Sequence, residues 1–78
     1  MIKIEFEDCT PPEKIIYKAF ESMFNGQLID IHRVEAFTYF RMETDVFSYP
    51  MFLVFKNDRL HSFGRVDKKG YSIHVIEL

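Results

Sequence analysis

The sequence predicts a small α/β domain over residues 1–78, in which a strand, a helix, a strand, a short helix and two further strands follow one another. Three observations support this fold class: a length that suits one domain, a period-two apolar pattern at the start of the chain, and a 3.6-residue pattern directly after it. The alternative is an α+β fold with one helix on a mostly antiparallel sheet, in which residues 35–42 and 71–76 form strands.

The first strand and the first helix follow from two different periods. Apolar Ile2, Ile4 and Phe6 alternate with charged residues over residues 1–7, which predicts a strand with one face on the core. Five apolar residues then fall on one stripe of a helix: Ile16, Ala19, Phe20, Met23 and Phe24.

The ends of this helix are also marked in the sequence. Thr10 and Glu13 have the spacing of a capping box, and Pro11 suits the first helical position. Asn25-Gly26 predicts the end of the helix, because both residue types tolerate a positive φ angle.

The middle of the chain contains one clear strand and one ambiguous segment. Residues 28–34 alternate, with Ile29 and Ile31 predicted on one face and polar side chains on the other. Residues 35–44 fit a short helical stripe and a strand equally well, and the sequence leaves both open.

The last third of the chain predicts a hairpin and an ambiguous tail. The apolar run 51–55 is typical of a central strand, and residues 56–59 have the Asn-Asp chemistry of a tight turn before a returning strand, 60–66. Residues 70–78 alternate as a strand would, at Tyr71, Ile73 and Val75 against Ser72 and His74, although a terminal helix is the second possibility.

The composition indicates a folded domain. Hydrophobic residues make up 47% of the chain and aromatic residues 17%, and the charges nearly cancel to a net −2, which excludes disorder. The single cysteine excludes an internal disulfide framework and a Cys-rich zinc site, and it favours a reducing, cytoplasmic compartment. The sequence contains neither a membrane-spanning run nor a signal-peptide pattern, so no membrane association is expected.

Two stretches resemble the thioredoxin and glutaredoxin family. Cys9-Thr10-Pro11-Pro12 is similar to the family's C-x-P-C redox motif at a strand–helix junction, and residues 46–57 are similar to the segment in which a cis proline precedes a hairpin strand. The resemblance implies a thioredoxin-like fold and a cis Pro50 whose backbone edge pairs with a bound peptide. The binding surface would then include these residues around the two motifs: Thr10, Pro11, Phe47, Tyr49, Pro50 and Met51.

The first motif departs from the family pattern in a way that limits its chemistry. Pro12 stands where the family has its resolving cysteine, so Cys9 could act only through a mixed disulfide with a partner protein or glutathione. The helix N-terminus favours the thiolate, whereas the carboxylates of Asp8 and Glu13 disfavour it. The alternative interpretation of the same residues is a small cysteine with a structural role, placed directly before a capped helix.

Two function classes remain. The first is a redox-degenerate protein-binding module without a cofactor, for example a small accessory protein or a virus-encoded inhibitor of a host protein. The second is a one-thiol exchange protein acting through Cys9, with glutathione as the possible second thiol. The missing resolving cysteine favours the first class.

Other ligand classes are disfavoured. Nucleic acid does not fit a chain with scattered Lys and Arg residues and a pI near 5.9. A metal site does not fit the three histidines, His32, His61 and His74, because they lack ligand spacing. The aromatic and methionine side chains near Pro50 instead suggest an exposed apolar patch, which indicates a protein partner: Phe47, Tyr49, Met51 and Phe52.

Overall fold

A computed structural model describes the backbone of residues 1–78 and every side chain except those of Ile73 and His74. Over this backbone, one α-helix packs on a six-stranded antiparallel sheet, and the strands neighbour one another in chain order. The elements are β1 (Ile2–Lys3), α1 (Pro11–Phe24), β2 (Gln27–Val34), β3 (Phe37–Glu43), β4 (Met51–Lys56), β5 (Arg59–Val66) and β6 (Ser72–Glu77), with a short 3-10 helix at Phe6–Asp8. The α+β alternative therefore describes the architecture.

The predicted ends of α1 are confirmed. The Thr10 hydroxyl accepts a hydrogen bond from the Glu13 backbone N–H at 3.4 Å, and Glu13 Oε1 accepts one from the Thr10 N–H at 2.9 Å, which completes the capping box. Pro11 is the first helical residue, and Asn25 closes the helix in the left-handed conformation with φ 50°. In the described part of the chain, no helix has the length and apolar character that crossing a membrane requires.

The core lies between α1 and one face of the sheet. Tyr17 from the middle of α1 stacks on Phe40 of β3 with ring centroids 4.8 Å apart, and Phe40 meets Phe55 of β4 edge-on at 5.2 Å. The remaining fully buried members of this core are Ile31, Met42 and Leu53. We call the face of the sheet that packs against α1 the covered face, and the opposite face the open face.

The second helix and the terminal helix are absent from the described backbone, where β3 and β6 occupy those segments. The prediction of a short helix within residues 35–44 is therefore wrong. Thr38, Phe40 and Met42 alternate onto the covered face, and β3 pairs with a strand on each side. Pairing on both sides overrides the short helical stripe. The predicted alternation at Ile73 and His74 lies outside the described side chains.

Two smaller predictions also need correction. The first strand covers only Ile2–Lys3, because the chain turns into the 3-10 helix and carries Phe6 to the Tyr17 ring, with centroids 6.0 Å apart. In β2 the pairing shifts between Leu28 and Asp30, so Ile29 lies in a bulge and is 37% exposed, whereas Ile31 is buried.

Candidate functional site

Cys9 is a buried side chain. It is 5% exposed, and its Sγ lies 3.7 Å from the backbone carbonyl oxygen of Glu5. Burial, helped by the nearby Glu13 carboxylate, raises the pKa of the Cys9 thiol to about 11. The thiol is therefore protonated and shielded at neutral pH, so this arrangement does not supply the thiolate that one-thiol exchange requires.

The two motif stretches lie at opposite ends of α1. Thr10 and Pro11 are at its N-terminus, whereas Phe47 packs against Phe24 at its C-terminus, with ring centroids 6.4 Å apart. A helix of 14 residues is about 20 Å long. The predicted binding residues therefore do not form one surface, because the antiparallel sheet brings residues 44–50 to the end of the helix that Cys9 does not occupy.

In the second motif stretch, some of the predicted binding residues serve the fold. The peptide bond before Pro50 is trans, so the cis proline that the resemblance implies is not present. The trans form is also the common one for X-Pro bonds. The Pro50 carbonyl oxygen accepts a 3.0 Å hydrogen bond from the Val66 N–H, which fastens the loop to β5. Met51 is 3% exposed and belongs to the core, whereas Tyr49 remains 45% exposed.

An apolar groove opens beside the C-terminal half of α1. It is lined by Phe24, Phe47, Met51, Phe63, Gly64, Arg65 and Ile76. Phe20 of α1 packs edge-on against Phe63 of β5 at 4.9 Å, and β6 lies beyond β5 in the sheet. Ile76, which pairs across the strands with Phe63, is consequently 50% exposed and forms the outer wall.

The flank of α1 beside the groove is apolar too. Ile16, Phe20 and Met23 are spaced three and four residues apart and so share one flank of the helix. Met23 is 66% exposed. The two lysines of α1 contact a different residue, because the ammonium groups of Lys14 and Lys18 lie 6.0 and 5.4 Å from the Phe6 ring centroid. Met23 thus adds an exposed apolar side chain to the flank of α1 from which Phe20 contacts the groove residue Phe63.

Arg65 separates the apolar groove from a neighbouring basic cleft. This basic cleft is lined by Ser48, Tyr49, Arg65, Val66, Asp67, Lys68, Lys69 and Tyr71. The Arg65 guanidinium lies 4.7 Å from the Phe47 ring centroid, within the range of a cation–π contact. Asp67 Oδ1 accepts hydrogen bonds from the backbone N–H groups of Lys69 and Tyr71, at 2.9 and 3.0 Å, and so holds the turn.

The cations of the basic cleft have no acidic partner within the described side chains. The ion pairs there involve Lys18, His32, Arg33 and Arg41. Arg65, Lys68 and Lys69 belong to none of them. Three positive charges are therefore available to a ligand beside the apolar groove.

The polar side chains of a cluster on the open face form hydrogen bonds and ion pairs with one another. Both Asp30 carboxylate oxygens accept hydrogen bonds from Arg41, at 2.8 and 2.7 Å, and His32 Nε2 lies 3.3 Å from Oδ2. The Arg41 guanidinium lowers the pKa of Asp30, in spite of its partial burial. The cluster acts as a cross-strand brace between β2 and β3.

Most of the groove was missed by reasoning from the sequence. Phe24 fits the helical core stripe, and Ile76 lies in the segment left open between helix and strand. The sequence signal nearest to the groove was the apolar patch suggested around Pro50, of which Phe47 and Met51 line the groove and Tyr49 lines the basic cleft.

No protein-family model matches the sequence, no curated protein is significantly similar to it, and no solved structure matches it at a significant level. Among the described residues, no group of three or more His, Cys, Asp and Glu side chains could hold a metal ion.

Proposed function

We propose that this chain is a protein-binding module that holds a partner segment in the apolar groove. The observation that carries the proposal is the position of Ile76, which is half exposed and lines the groove together with the rings of Phe24 and Phe63. Contiguous apolar surface of this kind, rimmed by polar groups, is typical of protein–protein contacts.

The proposal keeps the binding class inferred from the sequence and moves its site. The groove lies at the C-terminal end of α1, so Phe47 is retained as a groove residue and Tyr49 as a residue of the neighbouring basic cleft. Thr10 and Pro11 lie at the other end of the helix, and Met51 lines the groove but is only 3% exposed. A thioredoxin-like relationship stays a prediction, and the proposal does not depend on it. The proposed compartment is reducing and intracellular, in keeping with one free cysteine.

One-thiol exchange receives no support from the surroundings of Cys9. Exchange needs a thiolate that a disulfide can reach, and here burial both raises the thiol pKa and removes access. No cofactor, glutathione included, is part of the proposed function.

The test is quantitative affinity capture with a matched pair of variants. Ile76→Asp places a charge in the groove, and Ile29→Asp places the same charge on an exposed strand residue in the β2 bulge, outside the groove lining. We expect a set of proteins that is retained by the wild type and by Ile29→Asp and is lost from Ile76→Asp, with unchanged far-ultraviolet circular dichroism.

A second variant, on the helix flank beside the groove, controls for loss of folding. Met23→Asp changes an exposed helix residue and should cause the same loss. Identical sets of captured proteins from all four baits would contradict a binding role for the groove.

A further inference from the structure

We infer that the partner segment is an acidic amphipathic peptide, whose apolar side chains enter the apolar groove while its carboxylates meet Arg65, Lys68 and Lys69. This inference rests on the proposed function and specifies its ligand. It starts from one juxtaposition: the basic cleft shares Arg65 with the apolar groove, so a single bound segment can reach both.

Arg65 is held in a position suited to a carboxylate. Its guanidinium stacks over Phe47, and that ring is itself packed against Phe24, so the side chain loses little conformational freedom on binding. A guanidinium donates two parallel hydrogen bonds to a carboxylate, which a lysine cannot do. The edge of the stacked group that faces solvent can therefore orient an Asp or Glu side chain.

The charge of the basic cleft contrasts with that of the chain. Arg65, Lys68 and Lys69 lie within five residues of one another, in a protein whose formal net charge is −2. Asp67, the acid within the lining, directs an oxygen to backbone N–H groups of its own turn. Asp67 still carries a negative charge, and Glu43 and Asp45 line an adjoining cleft that shares Ser48 and Tyr49 with the basic cleft. The positive charge is therefore confined to the segment from Arg65 to Lys69, where it is complementary to an acidic side chain and would increase both association rate and specificity.

A peptide fits these two surfaces better than the other common polyanions. A nucleic acid would lay its charged backbone across the apolar groove, and it is tracked by a basic stripe, whereas these cations lie at one end only. An anionic bilayer would reach the turn at residues 67–70 without filling the concave groove. An amphipathic peptide carries both kinds of side chain in one segment.

The experiment is a selection from a random peptide library with the full chain as bait, run in parallel on three proteins. These are the wild type, the double variant Lys68→Glu/Lys69→Glu, and Lys56→Glu/Arg59→Glu as the matched control. Lys56 and Arg59 are exposed cations at the other end of the β4–β5 hairpin. Peptides enriched on the wild type are then synthesised, and their affinities are measured by fluorescence anisotropy at low and high salt.

We expect the enriched peptides to combine Leu or aromatic residues with Asp or Glu. Lys68→Glu/Lys69→Glu should weaken their binding about tenfold at low salt, while the control variant keeps the wild-type affinity. The difference should shrink at high salt because exposed charges are screened.

Several outcomes would overturn the inference. Enriched peptides that lack acidic residues but lose binding to Ile76→Asp would support the proposed groove and contradict the inference that its ligand is acidic. Peptides whose affinity is unchanged by both Ile76→Asp and Lys68→Glu/Lys69→Glu would contradict both the proposed binding groove and the acidic ligand. Tighter binding of an oligothymidylate or of phosphatidylserine vesicles than of any selected peptide, or a concentration-dependent dimer that blocks peptide binding, would assign the surface to a different ligand.

Discussion

Arg33 on β2 donates a 2.9 Å hydrogen bond from Nη2 to Oε1 of Glu13, the same oxygen that accepts the backbone N–H of Thr10 at the start of α1. Arg33 Nε also donates to the Thr38 hydroxyl on β3 at 3.0 Å. Glu13 and Thr38 are buried. One carboxylate therefore both caps the helix and fixes its position over two strands.

Replacing Arg33 with Met should lower the free energy of unfolding by about 2 kcal/mol, because a buried carboxylate loses its countercharge while the partial exposure of Arg33 limits the loss. Urea denaturation measures this change. Lys18→Met is the control, since it breaks the exposed Lys18–Glu21 pair and should cost less than about 0.5 kcal/mol. Equal losses from the two variants would show that the Glu13–Arg33 pair has no special role.

Replacing Gly26 with Ala should destabilise the fold by about 1–3 kcal/mol, because the added Cβ meets a packed side chain. A Cβ at Gly26 would overlap Met42 Sδ and lie 2.6 Å from Met42 Cγ, and Met42 is fully buried. The sequence pattern explained this glycine by a positive φ, but in the structure it is Asn25 that adopts one.

A double-mutant cycle tests this explanation of Gly26. In a Met42→Ala background the contact is absent, so Gly26→Ala should cost clearly less than in the wild type. An unchanged cost in that background would point to the backbone and not to Met42.

Replacing Asp58 with Gly should stabilise the protein by up to about 1 kcal/mol, since Asn57 and Asp58 form a two-residue hairpin turn with φ 51° and 67°. Glycine adopts this conformation without the steric penalty that a Cβ brings. Thermal unfolding should show a higher midpoint for Asp58→Gly and a lower one for Asp58→Ala. The opposite order would contradict the role of φ at this position.

Features that depend on neighbouring residues could be predicted from the sequence. The capping box of Thr10 and Glu13, the helix end at Asn25 and the turn at Asn57 and Asp58 are each determined by a few adjacent side chains. Their chemistry is the same before and after the chain folds. The sequence therefore predicted these features and the structure confirms them.

Features that depend on distant residues could not be predicted in this way. The pattern within residues 37–43 fits a helix and a strand equally well, and it is the pairing of β3 with β2 and β4 that decides for the strand. The groove likewise requires β6 to lie beyond β5, and thus depends on sheet order. Placing Cys9 and Pro50 on one surface followed from a resemblance, whereas the antiparallel sheet separates them along α1.

Cys9 should resist alkylation in the native protein. Its thiol is 5% exposed and protonated at neutral pH, so iodoacetamide should react far more slowly with the folded chain than with the chain in denaturant. Mass spectrometry of samples quenched over time measures the two rates. Rapid native labelling at neutral pH would indicate an accessible thiolate and would restore one-thiol exchange as a function.

The same thiol should make stability depend on pH in the alkaline range. Folding raises the pKa of Cys9 from 9.0 to about 11, so between these values the folded state binds its proton more tightly than the unfolded state does. The resulting stabilisation is complete below pH 9 and is lost as the pH rises through 11, and it amounts to at most about 3 kcal/mol. Urea denaturation of the wild type and of Cys9→Ala over this range isolates the thiol, because the buried Tyr17, whose pKa is also raised, is common to both proteins. We expect the wild type to lose stability more steeply than Cys9→Ala, whereas parallel curves would show that the thiol is not desolvated by folding.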